Sequence, residues 1–321
     1  MWVTRYTYPD REPVECWEPA MPRVPDFVLN CVVYLYCSED DAKDGSTYGG
    51  TGFLLGVPSE MAKPFVHLYV VTNRHLVEGG ARVLRANRTD GTTTILNLAD
   101  GWVFHPAGDD LAVHAISLHP GEKHQISIIM AGYALTEEFV EQEDVGVGDE
   151  TILAGRFVRH DGRLMNRPAL RFGHIAMMPD PNDGVLIEIG DQEYSQEAFL
   201  VEGRTVCGYS GSPVFWCRQH DADRSHVWPE YDLRLLGVHS HYLTVPEGSY
   251  TTGRRQRRKR TAEVPSGMMV VIPVWRLAAM LGHPLLVKGR KAEDNRWVKE
   301  KERMACPVQS SKPTISSSDQ A

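Results

Sequence analysis

The sequence has no long apolar run. Nothing in its 321 residues approaches the ~18 consecutive apolar positions of a membrane-spanning helix, so none is expected. The stretch MWVTRYTYPDREPVECWEPAMPRVPDF lacks an apolar leader segment and is rich in Pro and charge. No secretory signal is read there, and the expected compartment is the cytoplasm. A basic excess is also missing. With a net charge of −8 the chain as a whole does not advertise binding to nucleic acid or an anionic membrane. Cysteine is sparse, with Cys16, Cys31, Cys37, Cys207, Cys217 and Cys306 making six. Without an export signal, and with enough chain to bury a core unaided, free thiols are expected rather than bridges. No internal repeat is evident.

Present instead are short β-branched runs separated by turn residues, in an otherwise ordinary composition of 42% hydrophobic and 24% charged residues. A first set of strands is read at Cys31–Cys37, Thr51–Val57, Val66–Thr72, Ala81–Arg85, Thr93–Leu98 and Leu111–Ser117. A second is read at Ile126–Met130, Thr151–Val158, Leu170–Met177, Val185–Ile189, Pro213–Trp216, Leu233–Leu243 and Met268–Ile272. Helical patterning is clear only at Pro273–Leu281, with Pro in the first turn where it is tolerated.

The expected fold is therefore all-β, with two antiparallel barrels or sandwiches and a C-terminal helix. Residues 1–25 form a Pro-rich extension, 26–134 the first barrel, and 135–148 an acidic linker. Residues 149–287 form the second barrel with its helix, and 288–321 a polar, low-complexity tail.

Three segments carry candidate chemistry. In Gly208-Tyr209-Ser210-Gly211-Ser212-Pro213-Val214 a hydroxyl stands between glycines, ahead of an apolar strand. Acyl transfer needs such an exposed nucleophile beside backbone N–H groups free to bind an oxyanion, and glycine allows the tight turn. The plain alternative is a Gly/Ser turn before a strand. In Tyr69–Val77 (YVVTNRHLV) an apolar strand runs into His75, which is where a rigidly held general base would stand. The alternative is a single loop His. In Gly108-Asp109-Asp110-Leu111-Ala112-Val113 a carboxylate precedes a buried strand and could orient an imidazole. Asp110 adjoins the apolar run, and Asp109 is the reserve. Their chain order is His, Asp, Ser, with 35 residues between the first two and 100 between the last two. That order differs from those of α/β-hydrolases and subtilisins.

With these motifs in view, the chain resembles the trypsin-like (chymotrypsin-fold) serine peptidases in their compact bacterial form. TGFLLG is similar to the family's G-T-G-F strand and VVTNRHLV to its T-x-x-H segment, with Asn73-Arg74 replacing the usual Ala-Ala. DDLAV resembles D-[IL]-A-[VL], and VGVGDETILAG the entry to the second barrel. GYSGSPV resembles the nucleophile motif, with Ser212 where Gly is more usual. LGVHSH resembles the strand that holds substrate backbone, and VVIPVWRL the last strand and helix. The likeness runs from about residue 29 to 281. It implies two six-stranded barrels and peptide-bond hydrolysis through an acyl-enzyme. Ser210 would be the nucleophile, His75 the base and then acid, and Asp110 the orienting carboxylate. The N–H groups of Gly208 and Ser210 would form the oxyanion hole, and no cofactor is implied.

Substrate choice has weaker signals. The resemblance places Arg204 at the base of the pocket for the substrate residue preceding the cut. A buried Arg there favours an acidic side chain; the alternative is an Arg turned to solvent or paired internally. His239, Ser240 and His241 lie on the substrate-holding strand. With two-residue spacing the histidines are expected to share a face. They line the cleft, form a polar face, or, as a third option, hold a metal, although no Cys or acid stands at ligand spacing beside them.

The run Arg254–Arg260 reads first as a solvated loop, with a nucleic-acid contact or a nicking site as alternatives. The expected partner is a polypeptide substrate. A catalytically silent binding module on the same scaffold is the competing reading.

Overall fold

The computed structural model describes residues 24–305, apart from 48, 120, 122, 190–191, 205–206, 220–230 and 247–262. The Arg254–Arg260 loop, residues 1–23 and the end of the polar tail lie outside the described residues.

The N-terminal half comprises α1 (Asp26–Asn30), β1 (Val32–Tyr36), α2 (Glu39–Asp44), β2 (Gly50–Pro58), β3 (Val66–Thr72) and α3 (Arg74–Glu78). It continues with β4 (Val83–Asn87), β5 (Thr93–Asn97), β6 (Val103–Phe104), β7 (Ala112–Ile116) and β8 (Ile129–Met130). Its strands form one sheet in the order β5-β4-β1-β2-β3-β7-β6, with β8 pairing β2 in parallel. This sheet has eight strands and its end strands β5 and β6 do not pair, so the expected six-stranded closed barrel is not what this half builds. The reason is local: β6 and β8 are two residues each, too short to carry a ladder around the ring.

Helix α4 (Glu137–Gln142), capped by Thr136, occupies the acidic linker. The C-terminal half then runs through β9 (Glu150–Gly155), β10 (Ala169–Met177), β11 (Val185–Ile189), β12 (Gln192–Gln196) and β13 (Phe199–Glu202). After these come β14 (Pro213–Gln219), β15 (Tyr231–Pro246) and β16 (Glu263–Pro273). Six of these strands close into a barrel, β10-β13-β16-β15-β14-β9, while β11 and β12 stand off as a hairpin. Helix α5 (Val274–Leu281) follows Pro273 directly and buries Val274, Leu277 and Met280, three residues apart along one face.

The chain then continues as α6 (Pro284–Ala305), where composition alone suggested an unstructured tail. Its sequence is too polar for a clear amphipathic stripe, and it is held by specific contacts. Ring nitrogens of the buried His67 meet Glu293 at 2.8 Å and Asp294 at 3.0 Å. The Ser59 hydroxyl donates to Asp294 at 2.6 Å, and Trp297 packs on Phe65. Among the described residues, no helix is long and apolar enough to cross a membrane.

The core explains why strands such as β1 read as unbroken apolar runs. Val33 and Leu35 point into a cluster made by the first sheet alone, with Leu54, Val70 and Leu84. Their neighbours Val32, Tyr34 and Tyr36 join a second cluster with Phe53, Phe199, Phe215, Trp216 and Val271, which spans both halves. Both faces are covered, so alternation disappears.

Candidate active site

Strand register assembles the first part of the site. The β3–β7 pairing sets Thr72 opposite Ala112, which brings the residues just after β3 against those just before β7. Asn73 caps the short α3, and its side-chain amide donates to the Asp110 carbonyl at 2.9 Å. One residue into the helix, His75 donates its backbone N–H to Asp110 Oδ1 at 2.9 Å. Its ring Nδ1 meets Asp110 Oδ2 at 2.7 Å. The Asp110 side chain is 3% exposed and that of His75 21%, so the carboxylate is interior while the imidazole reaches the cleft. Asp109 faces elsewhere and forms a two-pronged pair with Arg276 on α5.

A third group enters from the barrel. The β15–β16 ladder pairs His239 with Val271 and His241 with Val270, leaving Ser240 as the extra residue of a bulge. Bulges re-aim side chains. Here Ser240 Oγ lies 2.6 Å from Asp110 Oδ2 and 2.6 Å from His241 Nδ1. The bulge also breaks the simple alternation that would set His239 and His241 on one face. His239 is 1% exposed, whereas His241 lies ring to ring with His75 at a 4.8 Å centroid distance.

The electrostatics follow from these contacts. Burial alone would raise the Asp110 carboxyl, but the hydrogen bond and charge of His75 and the Ser240 hydroxyl outweigh it and hold the group below the usual carboxylate range. Asp110 is therefore an acceptor only. Ser240 must direct its single O–H to Asp110, and His241 must donate Nδ1–H to Ser240. Burial pushes the His239 imidazole down to about 3, with His241 adding to the effect. Burial, followed by proximity to His75, pushes His241 down to about 4. Both are neutral at physiological pH.

Ser210 sits in the turn between β13 and β14, clasped from both halves. Its carbonyl accepts the Thr51 N–H at 3.0 Å, and the next N–H, Gly211, donates to the His239 carbonyl at 2.9 Å. Thr51 Oγ1 donates to the Gly208 carbonyl at 2.7 Å, while Thr72 Oγ1 donates to the Thr51 carbonyl at 2.7 Å. Gly208 and Gly211 adopt φ of 103° and 82°, which favours glycine. A Cβ on Gly211 would run into the Thr51 carbonyl and Thr72 Oγ1, so this turn abuts the strand end that leads to His75. Among the described residues, neither the Gly208 nor the Ser210 N–H donates to a backbone carbonyl, and Ser210 Oγ makes no hydrogen bond to His75.

Arg204 is exposed just beyond β13. A cleft of about 360 Å³ opens beside His75 and Asp110, walled by Arg74 and by Ile187, Tyr194 and Gln196 of the β11–β12 hairpin. Gln196 Oε1 accepts the Asp110 N–H at 3.4 Å. Sequence reasoning missed the hairpin wall and the threonine clasp, because each depends on pairing between distant segments. Cys31, Cys37, Cys207 and Cys217 are free thiols.

The fold and this cluster define a mostly β protein with a closed six-stranded barrel, an eight-stranded sheet, and a knot of His75, Asp110, Ser240 and His241 that joins the two. No family model matches the chain, and no curated protein matches it. Among solved structures it is similar to the Rv3671c protease of Mycobacterium tuberculosis. For the inactive form the identity is 16%, the TM-score 0.38, and the match covers 80% of this chain and 94% of that one. For the active form the identity is 15% and the TM-score 0.38, covering 87% and 93%. At that level the likeness carries no functional weight.

Proposed function

We propose that the chain is a trypsin-like serine endopeptidase with His75, Asp110 and Ser210 as its triad. The observation that carries this reading is the two-point grip of Asp110 on His75, in a crevice to which Thr51 and His239 also anchor the Ser210 turn.

In the reaction, Ser210 Oγ attacks the substrate carbonyl and passes its proton to His75 Nε2. The N–H groups of Gly208 and Ser210 receive the oxyanion. Collapse breaks the C–N bond, and His75 gives the proton to the departing amine. Water, deprotonated by His75, then attacks the ester and releases Ser210. Asp110 holds the imidazole in the tautomer that leaves Nε2 bare and offsets the positive charge that develops. Substrate backbone runs along β15 at Ser240 and His241, which bears a bare Nε2 as an acceptor. Arg204, at the surface, meets acidic groups at the rim.

A fluorophosphonate probe is expected to label the wild type and not Ser210→Ala, with peptide hydrolysis falling by at least about 10³-fold. Equal labelling of the two proteins would remove the proposal. A silent binding scaffold is the second reading, favoured by the missing Ser210–His75 hydrogen bond; catalytic hydrogen bonds often tighten only with substrate bound.

A further inference from the structure

One ligand atom from each of His75, Asp110 and His241 can be chosen so that the three lie within 4.8 Å of one another. The two imidazoles are prepared alike. His75 Nδ1 faces Asp110 Oδ2 at 2.7 Å. His241 Nδ1 faces Ser240 Oγ at 2.6 Å, and Ser240 in turn reaches the same Oδ2 at 2.6 Å. One buried carboxylate thus fixes the tautomer of both rings, and among the described residues neither Nε2 has a hydrogen bond. Metal-binding histidines are held in the same way, with the outer N–H on a carboxylate or its relay. The side chains of His75 and His241 are 21% and 22% exposed, so both rings can be reached from solvent. No sequence spacing rule could find this set, since its members come from residues 75, 110 and 241.

We propose that the crevice binds one divalent transition-metal cation of the Zn²⁺ class between Nε2 of His75 and Nε2 of His241, and that this cation blocks acyl transfer. Imidazole nitrogen suits Zn²⁺ and Cu²⁺, whereas Ca²⁺ and Mg²⁺ require oxygen ligands. Water completes the coordination. Binding consumes only lone pairs, so no N–H need be lost. The block follows because the His75 lone pair that takes the Ser210 proton is occupied. This inhibitory half rests on the peptidase reading; the binding half does not.

The experiment is calorimetric titration of the full chain with ZnCl₂, alongside Cu²⁺ electron paramagnetic resonance. One Zn²⁺ per chain is expected in the wild type and in Ser210→Ala, with affinity falling at least about 10-fold in Asp110→Asn. His241→Gln and His75→Gln are expected to lose the site, and CaCl₂ to give no heat. The Cu²⁺ spectrum of the unmutated protein is expected to show two imidazole nitrogens, which keeps the test valid if a variant fails to fold. Zn²⁺ binding unchanged in both histidine variants, or a spectrum without imidazole nitrogen, would overturn the proposal. Metal binding without probe labelling in metal-free protein would remove the peptidase reading alone. Labelling that persists at saturating Zn²⁺ would overturn the inhibitory half.

Discussion

Asp110 accepts three hydrogen bonds, two from His75 and one from Ser240, so its charge is shared between the two halves of the chain. Replacing Ser240 with Ala removes one donor to a buried carboxylate, a loss of about 1.5–3 kcal/mol for a charged partner. The Asp110 carboxyl should then rise, and the acid limb of the pH–rate profile should shift to higher pH; an unmoved limb would detach Ser240 from the charge balance. His239 and His241 predict a second pH effect. Their folded values of about 3 and about 4 lie below the ordinary value near 6.5. Between those limits the unfolded chain holds more protons than the folded one, so stability rises with pH. Thermal unfolding followed from pH 7 to 4 should show Tm falling as the pH drops, less steeply in His239→Leu. Equal slopes would contradict the assignment. His75 and Asp110 could be picked from the sequence because each follows or precedes an apolar strand in a fixed order. Ser240 was singled out only as part of the substrate-holding strand; its contact with Asp110 was not legible, since a bulge rather than simple alternation decides where its hydroxyl points.

At the level of elements, α6 joins a polar clamp to a few apolar contacts, with Leu286 in the core and Trp297 on Phe65. His67 lies between Glu293 and Asp294, and Ser59 shares the Asp294 carboxylate. Asp294→Ala strips both Ser59 and His67 of a partner in a buried setting. The expected result is faster amide exchange across 284–303 and a stability loss of about 1–3 kcal/mol. Exchange confined to the last turn would show that the apolar contacts of Trp297 suffice. Five of the closed barrel's six strands were legible as β-branched runs bounded by turn residues, whereas the four-residue β13 was missed and the run at Val185–Ile189 stands off the barrel in a hairpin. Helix α6 was hidden by its charge and strand β6 by its length, since two residues display no period; β8 ends the run read at Ile126–Met130 but pairs with β2 of the first sheet instead of joining the second set.

At the scale of the molecule, the two halves share one apolar cluster and one polar knot. Arg85 of the first sheet donates to Asn166 Oδ1 at 2.9 Å and to the Ala42 and Arg163 carbonyls at 2.9 and 2.6 Å. Beside it the Arg156 guanidinium joins Asp161, and both cations lie over the rings of Tyr34 and Tyr36. Arg85→Met would leave two buried acceptors and a part-buried one unpaired and is expected to cost several kcal/mol. Differential scanning calorimetry should give a single transition with calorimetric and van't Hoff enthalpies in agreement. Two resolved transitions would mean that the halves fold independently.

The clasp of Thr51 on the 208–211 turn has one more consequence. Severed between residues 134 and 149, the chain would yield two fragments, each holding an unfinished crevice. Mixing them should restore probe reactivity with second-order kinetics, because the hook and its eye then lie on separate molecules.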